Sequence, residues 1–228
     1  MIKKPESNML KHAATIAGLM MFAAPLMAQP FEEGQHYQRI STPAAAPEDR
    51  VEVVEAFAYP CPACRNFMPH ITTWEEELPD YVDFSRLPVA LQPGWDLFAR
   101  AFYTAEVMGV DKAAHEAMFH AVHDERRQFS SFEDIAEFYT EFDVEQEAFL
   151  NTSESFAVDS RMRQNRNEVR RFGIRGTPSV IVQGKWLVSP NAFESYQQMI
   201  EVIDFLVERE AGELGLDEAE ESAAGASE

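Results

Sequence analysis

Two cysteines, Cys61 and Cys64, are the only ones in the chain, and they stand two residues apart in Cys61-Pro62-Ala63-Cys64. A pair at this spacing can do three things. It can cycle between dithiol and disulfide, it can supply half of a zinc site, or it can form a structural crosslink. Zinc wants about four ligands, so two of the histidines would have to join the sulfurs. A permanent crosslink over so small a loop removes little chain entropy from the unfolded state. The spacing suits a bond that is made and broken, and the redox dithiol is the reading we carry forward. Its chemistry needs a thiolate, because the thiolate is the form that attacks a disulfide.

The elements around the pair supply that condition. Val51–Phe57 reads as a buried strand, and a helical pattern through Arg65, Phe67, Ile71 and Trp74 follows the cysteines. Cys61 then sits at a helix N-terminus, where unpaired N–H groups and the positive end of the macrodipole favour negative charge. Pro62 suits the first helical position, since its φ is already helical and its missing N–H would have had no partner. Pro69 falls inside this helix and is expected to kink it.

Further elements follow from periodicity and punctuation. Residues 35–40 read as a short edge strand, 41–49 as a Pro- and Ala-rich connection, and 81–87 as a second core strand stopped by Pro88. From Trp95 to about Phe172 the pattern is helical. Phe98, Ala101, Phe102, Ala105 and Met108 share one face, and Asp111 is expected to cap the next helix. Ser130 with Glu133 offers a capping box for a third, a short helix covers 145–150, and a longer one runs from Ser155 to Arg171. These aromatic stripes read as packed core rather than as a cofactor pocket. Residues 177–183 and 186–188 then form a hairpin across Gly184-Lys185, and 193–207 a closing helix. The class is α/β: a sheet domain made of 29–94 and 173–211, interrupted by an all-helical insertion at 95–172.

The ends carry other signals. Lys3, Lys4 and Lys11 precede an uncharged apolar run from Ala13 to Met27, which closes on Leu26-Met27-Ala28. Residues 1–28 therefore read as a cleaved signal peptide, with an uncleaved anchor as the alternative. Export suits disulfide chemistry, and a short leader of this kind points to a periplasm. Losing the leader's three lysines and one glutamate takes the net charge from −20 to −22. So acidic a chain argues against nucleic acid as a partner. Residues 212–228 read as a disordered acidic tail.

Taken together, the Cys61-Pro62-Ala63-Cys64 stretch after Phe57-Ala58-Tyr59-Pro60, Arg175-Gly176-Thr177-Pro178 and Gln183-Gly184-Lys185-Trp186 resemble the thioredoxin superfamily, and within it the DsbA family. The likeness spans nearly the whole mature chain, including the Glu33-Gly34-Gln35-His36-Tyr37 entry. It implies a thioredoxin-like fold with an inserted all-helical domain. It also implies a periplasmic thiol:disulfide oxidoreductase that introduces disulfides into exported proteins with free cysteines, and that a DsbB-like membrane quinone reductase reoxidises. No cofactor and no metal is expected. Isomerases of this superfamily carry a dimerisation domain, for which the segment before Val51 leaves no room, so a monomer is expected.

The resemblance also assigns roles. Cys61 is the exposed nucleophile and Cys64 the resolving thiol one turn along. Pro178 is cis, with Thr177 presenting backbone to an extended substrate; without the cysteines Pro178 would read as an ordinary strand-entry proline. Glu55, six residues before Cys61, takes the place of an acid beneath the site. A buried Glu55 would have a raised pKa and could relay a proton to Cys64, whereas a solvated strand-edge glutamate would not. Ala63 stands where relatives often carry histidine, so the helix terminus must supply most of the thiolate's stabilisation. The arginines at 161, 163, 166, 170, 171 and 175 read as a solvated helix face or as a source of positive potential near the site. His70, His120 and His123 carry no metal-binding pattern by themselves. A reductase or isomerase using the same pair remains open, as does a peptide- or metal-binding module.

Overall fold

The computed structural model describes Met1 and residues 30–216, so the leader after Met1 and the tail from 217 onward lie outside the described residues. Five strands form one mixed sheet in the order β1-β5-β4-β2-β3. They are β1 (Gln38–Arg39), β2 (Val51–Phe57), β3 (Val82–Pro88), β4 (Ser179–Val182) and β5 (Trp186–Val188). The β2–β3 pair is parallel, with Glu55 opposite Arg86, while β4 runs antiparallel to both β2 and β5. Seven α-helices are described: α1 (Pro62–Glu76), α2 (Trp95–Met108), α3 (Asp111–His123), α4 (Phe132–Tyr139), α5 (Gln146–Ser153), α6 (Phe156–Arg171) and α7 (Tyr196–Leu214). Helices α2 to α6 occupy the chain between β3 and β4.

Alternation along β2 explains how the layers form. Val51 and Val53 pack with Phe67, Ile71 and Trp74 of α1 and with Met199, Ile203 and Leu206 of α7. Ala56 on the opposite face meets Leu87, Phe172, Ile174 and Ile181. Phe57, at the end of β2, belongs to a third cluster shared by Cys61, Cys64, Phe102, Phe119, Tyr139 and Phe149. Each large apolar side chain buried here contributes about 1.5–3 kcal/mol. The cysteine pair thus lies where the sheet's core becomes the helices' core.

Several local details differ from the sequence reading. The capping box of α4 uses Ser131 and Asp134, one residue beyond Ser130 and Glu133: Asp134 N–H donates to Ser131 Oγ, and Ser131 N–H to the Asp134 carboxylate. Asp111 is the first residue of α3 rather than its cap, because Gly109 ends α2 in the left-handed region and Val110 takes the N-cap place. There Asp111 still complements the helix dipole. Pro69 lies inside α1, as its place in the sequence implied, and its solvent-facing side leaves the buried Phe67, Met68, Ile71 and Trp74 to hold both halves on the sheet.

Helix α7 starts at Tyr196, capped by Ser195, and runs seven residues past Val207 to Leu214. Residues 212–214, expected within the acidic tail, are therefore helical. The cause is tertiary. Glu210 is fully buried and accepts hydrogen bonds from Trp186 Nε1 and Lys185 Nζ, both at 2.5 Å.

Candidate active site

The first turn of α1 positions the dithiol. Cys61 is its N-cap, with φ −86° and ψ 114°, and Pro62 is the first helical residue. The Cys61 N–H donates to Ala58 O at 3.0 Å, and the Cys61 carbonyl accepts from Arg65 N–H at 3.1 Å. Both cysteines are free thiols. Cys64 is fully buried, and Cys61 keeps only 7% of its surface. The expected open exposure of Cys61 is thus corrected: the Thr177 carbonyl stands 3.4 Å from its sulfur and covers it.

This environment treats the two sulfurs oppositely. A hydrogen bond from Cys64, a side-chain bond from Thr177 and the backbone N–H groups of Cys64 and Ala63 hold Cys61 down at about 5, against the opposing effect of burial. Burial and the neighbouring Cys61 push Cys64 far above the usual thiol range. Ala63 therefore contributes through its main chain what its side chain lacks. Its carbonyl accepts from the Tyr196 hydroxyl at 3.1 Å, which ties the start of α7 to the first turn of α1. The Thr177–Pro178 peptide bond is cis.

Glu55 is 1% exposed, on the same face of β2 as Val53 and Phe57, and so lies under α1. Burial pushes it up to about 7; Arg86 pulls the other way and Glu75 adds to the rise. Arg86 Nε stands 3.3 Å from Glu55 Oε2. The pair is off the hydrogen-bond line, and neither atom has another partner among the described residues. The Arg86 guanidinium is anchored instead by Glu75 on α1, Nη1 lying 3.3 Å from Oε1 and Nη2 on Oε2.

Sequence reasoning missed Arg86, although the parallel register places it directly across from Glu55. It also missed His115, and it gave His123 no part in holding the segment before Cys61. Tyr59 is 1% exposed, and its hydroxyl lies 3.0 Å from Nδ1 of His115, which burial keeps well below the usual imidazole range. His123 Nε2 lies 2.7 Å from the Tyr59 carbonyl. His120 faces Asp124 and Glu125 at the surface, and His70 lies against the Tyr196 ring. Of the arginine run, Arg161 meets Glu106, whereas Arg170, Arg171 and Arg175 line a groove that reaches Thr177. Among the described residues no group of three or more His, Cys, Asp or Glu is placed to hold a metal.

A low-pKa thiol on the first turn after a central strand, backed by a second buried thiol, is the arrangement of the thioredoxin-fold disulfide oxidoreductases. Comparison with known proteins narrows the class. The family model DSBA-like thioredoxin domain matches residues 63–201. The thiol:disulfide interchange protein DsbA of Pseudomonas aeruginosa is 32% identical over 198 residues, spanning 86% of this chain and 94% of that protein. Its crystal structure superposes with a TM-score of 0.75, over 80% of this chain and 95% of the other. A DsbA variant from Proteus mirabilis, solved with the non-covalently bound peptide PWATCDS, gives 0.68 at 25% identity, over 79% and 98% of the two chains. The chain belongs to the DsbA family, and it is a thiol:disulfide interchange oxidoreductase.

Proposed function

We propose that the protein is the disulfide-introducing oxidase of a periplasm, acting through Cys61 and Cys64 on exported polypeptides. The observation that carries this reading is the opposite perturbation of the two sulfurs, Cys61 lowered to about 5 and Cys64 strongly raised. In the oxidised protein a substrate thiolate attacks Cys61 Sγ. A substrate–Cys61 bond forms, the Cys61–Cys64 bond breaks, and Cys64 leaves and takes up a proton. A second substrate thiolate then attacks the substrate sulfur of this mixed disulfide and releases Cys61 as a stabilised thiolate. The substrate gains a disulfide and the enzyme holds the two electrons. A good leaving group at Cys61 makes the couple more oxidising.

The other residues take supporting roles. Pro62 and Ala63 set the first turn, and Ala63 lends its N–H to the thiolate. Glu55, titrating near 7, exchanges a proton with Cys64. Thr177, beside the cis Pro178, offers its backbone to an extended substrate, in keeping with the peptide held by the Proteus mirabilis relative. Residues 1–28 direct export and are removed, and among the described residues no helix is long and apolar enough to cross a membrane. Residues 29–94 and 173–211 act as the thioredoxin-like domain and 95–172 as the inserted helical domain. The protein works as a monomer and passes its electrons to a DsbB-like membrane quinone reductase.

Redox titration against glutathione tests the direction. A midpoint at or above about −180 mV supports the oxidase, and one near about −270 mV would make the protein a reductase.

A further inference from the structure

The chain holds 39 acidic residues against 19 basic ones, so a concave surface free of carboxylates runs against its composition. One such surface exists. A groove of about 810 Å³ lies among the end of α6, the loop into β4, the β1 edge and the loop after β5. Arg39, Arg170, Arg171 and Arg175 line it, and among the described residues no Asp or Glu does. Arg39 is paired with Glu33 at 3.5 Å. The other three have no carboxylate partner among the described residues: Arg170 is bonded to the Asn167 side chain, and Arg171 to the carbonyls of Thr42 and Pro43. All three are exposed.

Gly176, Thr177 and Ser179 line the same groove. The Thr177 carbonyl is the atom that stands 3.4 Å from Cys61 Sγ, so the arginine-lined groove reaches the residue that contacts the reacting sulfur. Arg175 is two residues from Thr177, no more than about 7 Å of extended chain. An extended substrate whose cysteine reaches Cys61 would therefore bring a side chain two or three positions away to Arg175, and more distant ones to Arg170 and Arg171. Guanidinium forks match carboxylates in geometry and charge. A walled cationic patch on an otherwise anionic surface also focuses field toward its mouth and speeds the encounter with an anionic segment.

We propose that this groove selects substrates in which Asp or Glu lies within a few residues of the cysteine to be oxidised. The inference rests on the oxidase reading above and names its substrate class.

The test uses the full mature chain and two dithiol peptides of equal length, one flanked by Asp and Glu and the other by Lys. Dithiothreitol serves as a neutral dithiol, and each peptide rate is divided by the dithiothreitol rate of the same protein. The acidic peptide is expected to react at least tenfold faster than the basic one. That ratio should shrink in 0.5 M salt and fall below about threefold in the Arg170→Glu/Arg175→Glu protein. Equal rates, or a ratio untouched by the double substitution, would overturn the proposal. A protein that does not oxidise dithiothreitol would fail the oxidase reading instead. The groove is then judged by equilibrium binding of the same peptides with serine for cysteine, where the acidic one should bind at least tenfold tighter and equal affinities would overturn it. If replacing Glu218, Glu220 and Glu221 by glutamine tightened acidic-peptide binding tenfold, the chain's own tail would be the occupant, and the substrate reading would fall.

Discussion

His123, the last residue of α3, reaches the carbonyl of Tyr59 with its Nε2 at 2.7 Å, sixty-four positions back along the chain. A carbonyl can only accept, so His123 carries the proton on Nε2 and donates it. The helical block thereby fixes the main chain two residues before the reactive sulfur. Replacing His123 by alanine strands the carbonyl of a residue that is 1% exposed, at a cost of about 1–3 kcal/mol. Urea unfolding of the reduced protein measures the loss, and His123→Gln, which keeps a donor, should recover at least half of it.

The lowered Cys61 pKa has a direct kinetic signature. Thiolate absorbance of the reduced protein should titrate with a midpoint at about 5. At pH 6 alkylation of Cys61 should run about tenfold faster than that of an unstructured thiol, the gain in thiolate outweighing its weaker nucleophilicity. Because the folded pKa lies below the ordinary value of 9.0, the thiolate adds stability to the reduced form. That stability is complete above about pH 9 and is lost as pH falls through 5. A Cys61→Ala chain lacks this dependence, so the difference between the two melting curves should close on acidification.

Glu55 works in the opposite sense. Its folded pKa of about 7 exceeds the ordinary 4.5, so its contribution is fully present below pH 4.5 and is lost as pH rises through 7. Glu55→Gln should therefore match the wild type near pH 4.5 and exceed it at pH 8 by up to about 3 kcal/mol. Denaturant titrations of the oxidised proteins at both pH values provide the check.

Arg86 restrains that rise. Without its guanidinium the Glu55 carboxylate has no counter-charge, so Arg86→Met should move the pH at which stability falls upward, past 7. At pH 8 the variant should lose about 3–5 kcal/mol, the usual cost of leaving one buried charge unpaired. Adding Glu55→Gln to it should return most of the loss. A double variant no more stable than Arg86→Met alone would refute the pairing.

Gly184 in the β4–β5 turn offers a test free of charge effects. Its φ is +59°, and a Cβ there would stand 2.7 Å from the Ala44 Cβ. Gly184→Ala should cost more than the roughly 1–2 kcal/mol of a left-handed residue alone, because Ala44 is also held by the bond from its N–H to Gly184 O. Thermal unfolding reads the effect.

Local patterns carried much of this structure. The buried run of β2, proline after a helix-capping cysteine, and Ser155 before α6 are decided within a few residues, and each stands where its pattern placed it. The cap of α4 was displaced by one because Ser130 and Ser131 each have an acid three residues on, and only the turn's geometry chooses between them. Partners brought together by tertiary folding left no such trace. Arg86 lies 31 positions from Glu55, and His115 lies 56 from Tyr59, so neither contact follows from spacing. The extension of α7 was hidden for the same reason, since buried Glu210 looks like surface until Lys185 and Trp186 arrive across the sheet.

The third core cluster encloses Cys64 with side chains drawn from strand and helical block alike. A reagent approaching from water can touch one sulfur of the pair and must prise the strand and helix layers apart to touch the other. Under the proposed exchange every covalent adduct begins on Cys61, and Cys64 takes part only as the sulfur that leaves inward. Accidental oxidants such as peroxide face the same restriction: Cys61 alone is within their reach, and the burial of Cys64 shields the second sulfur.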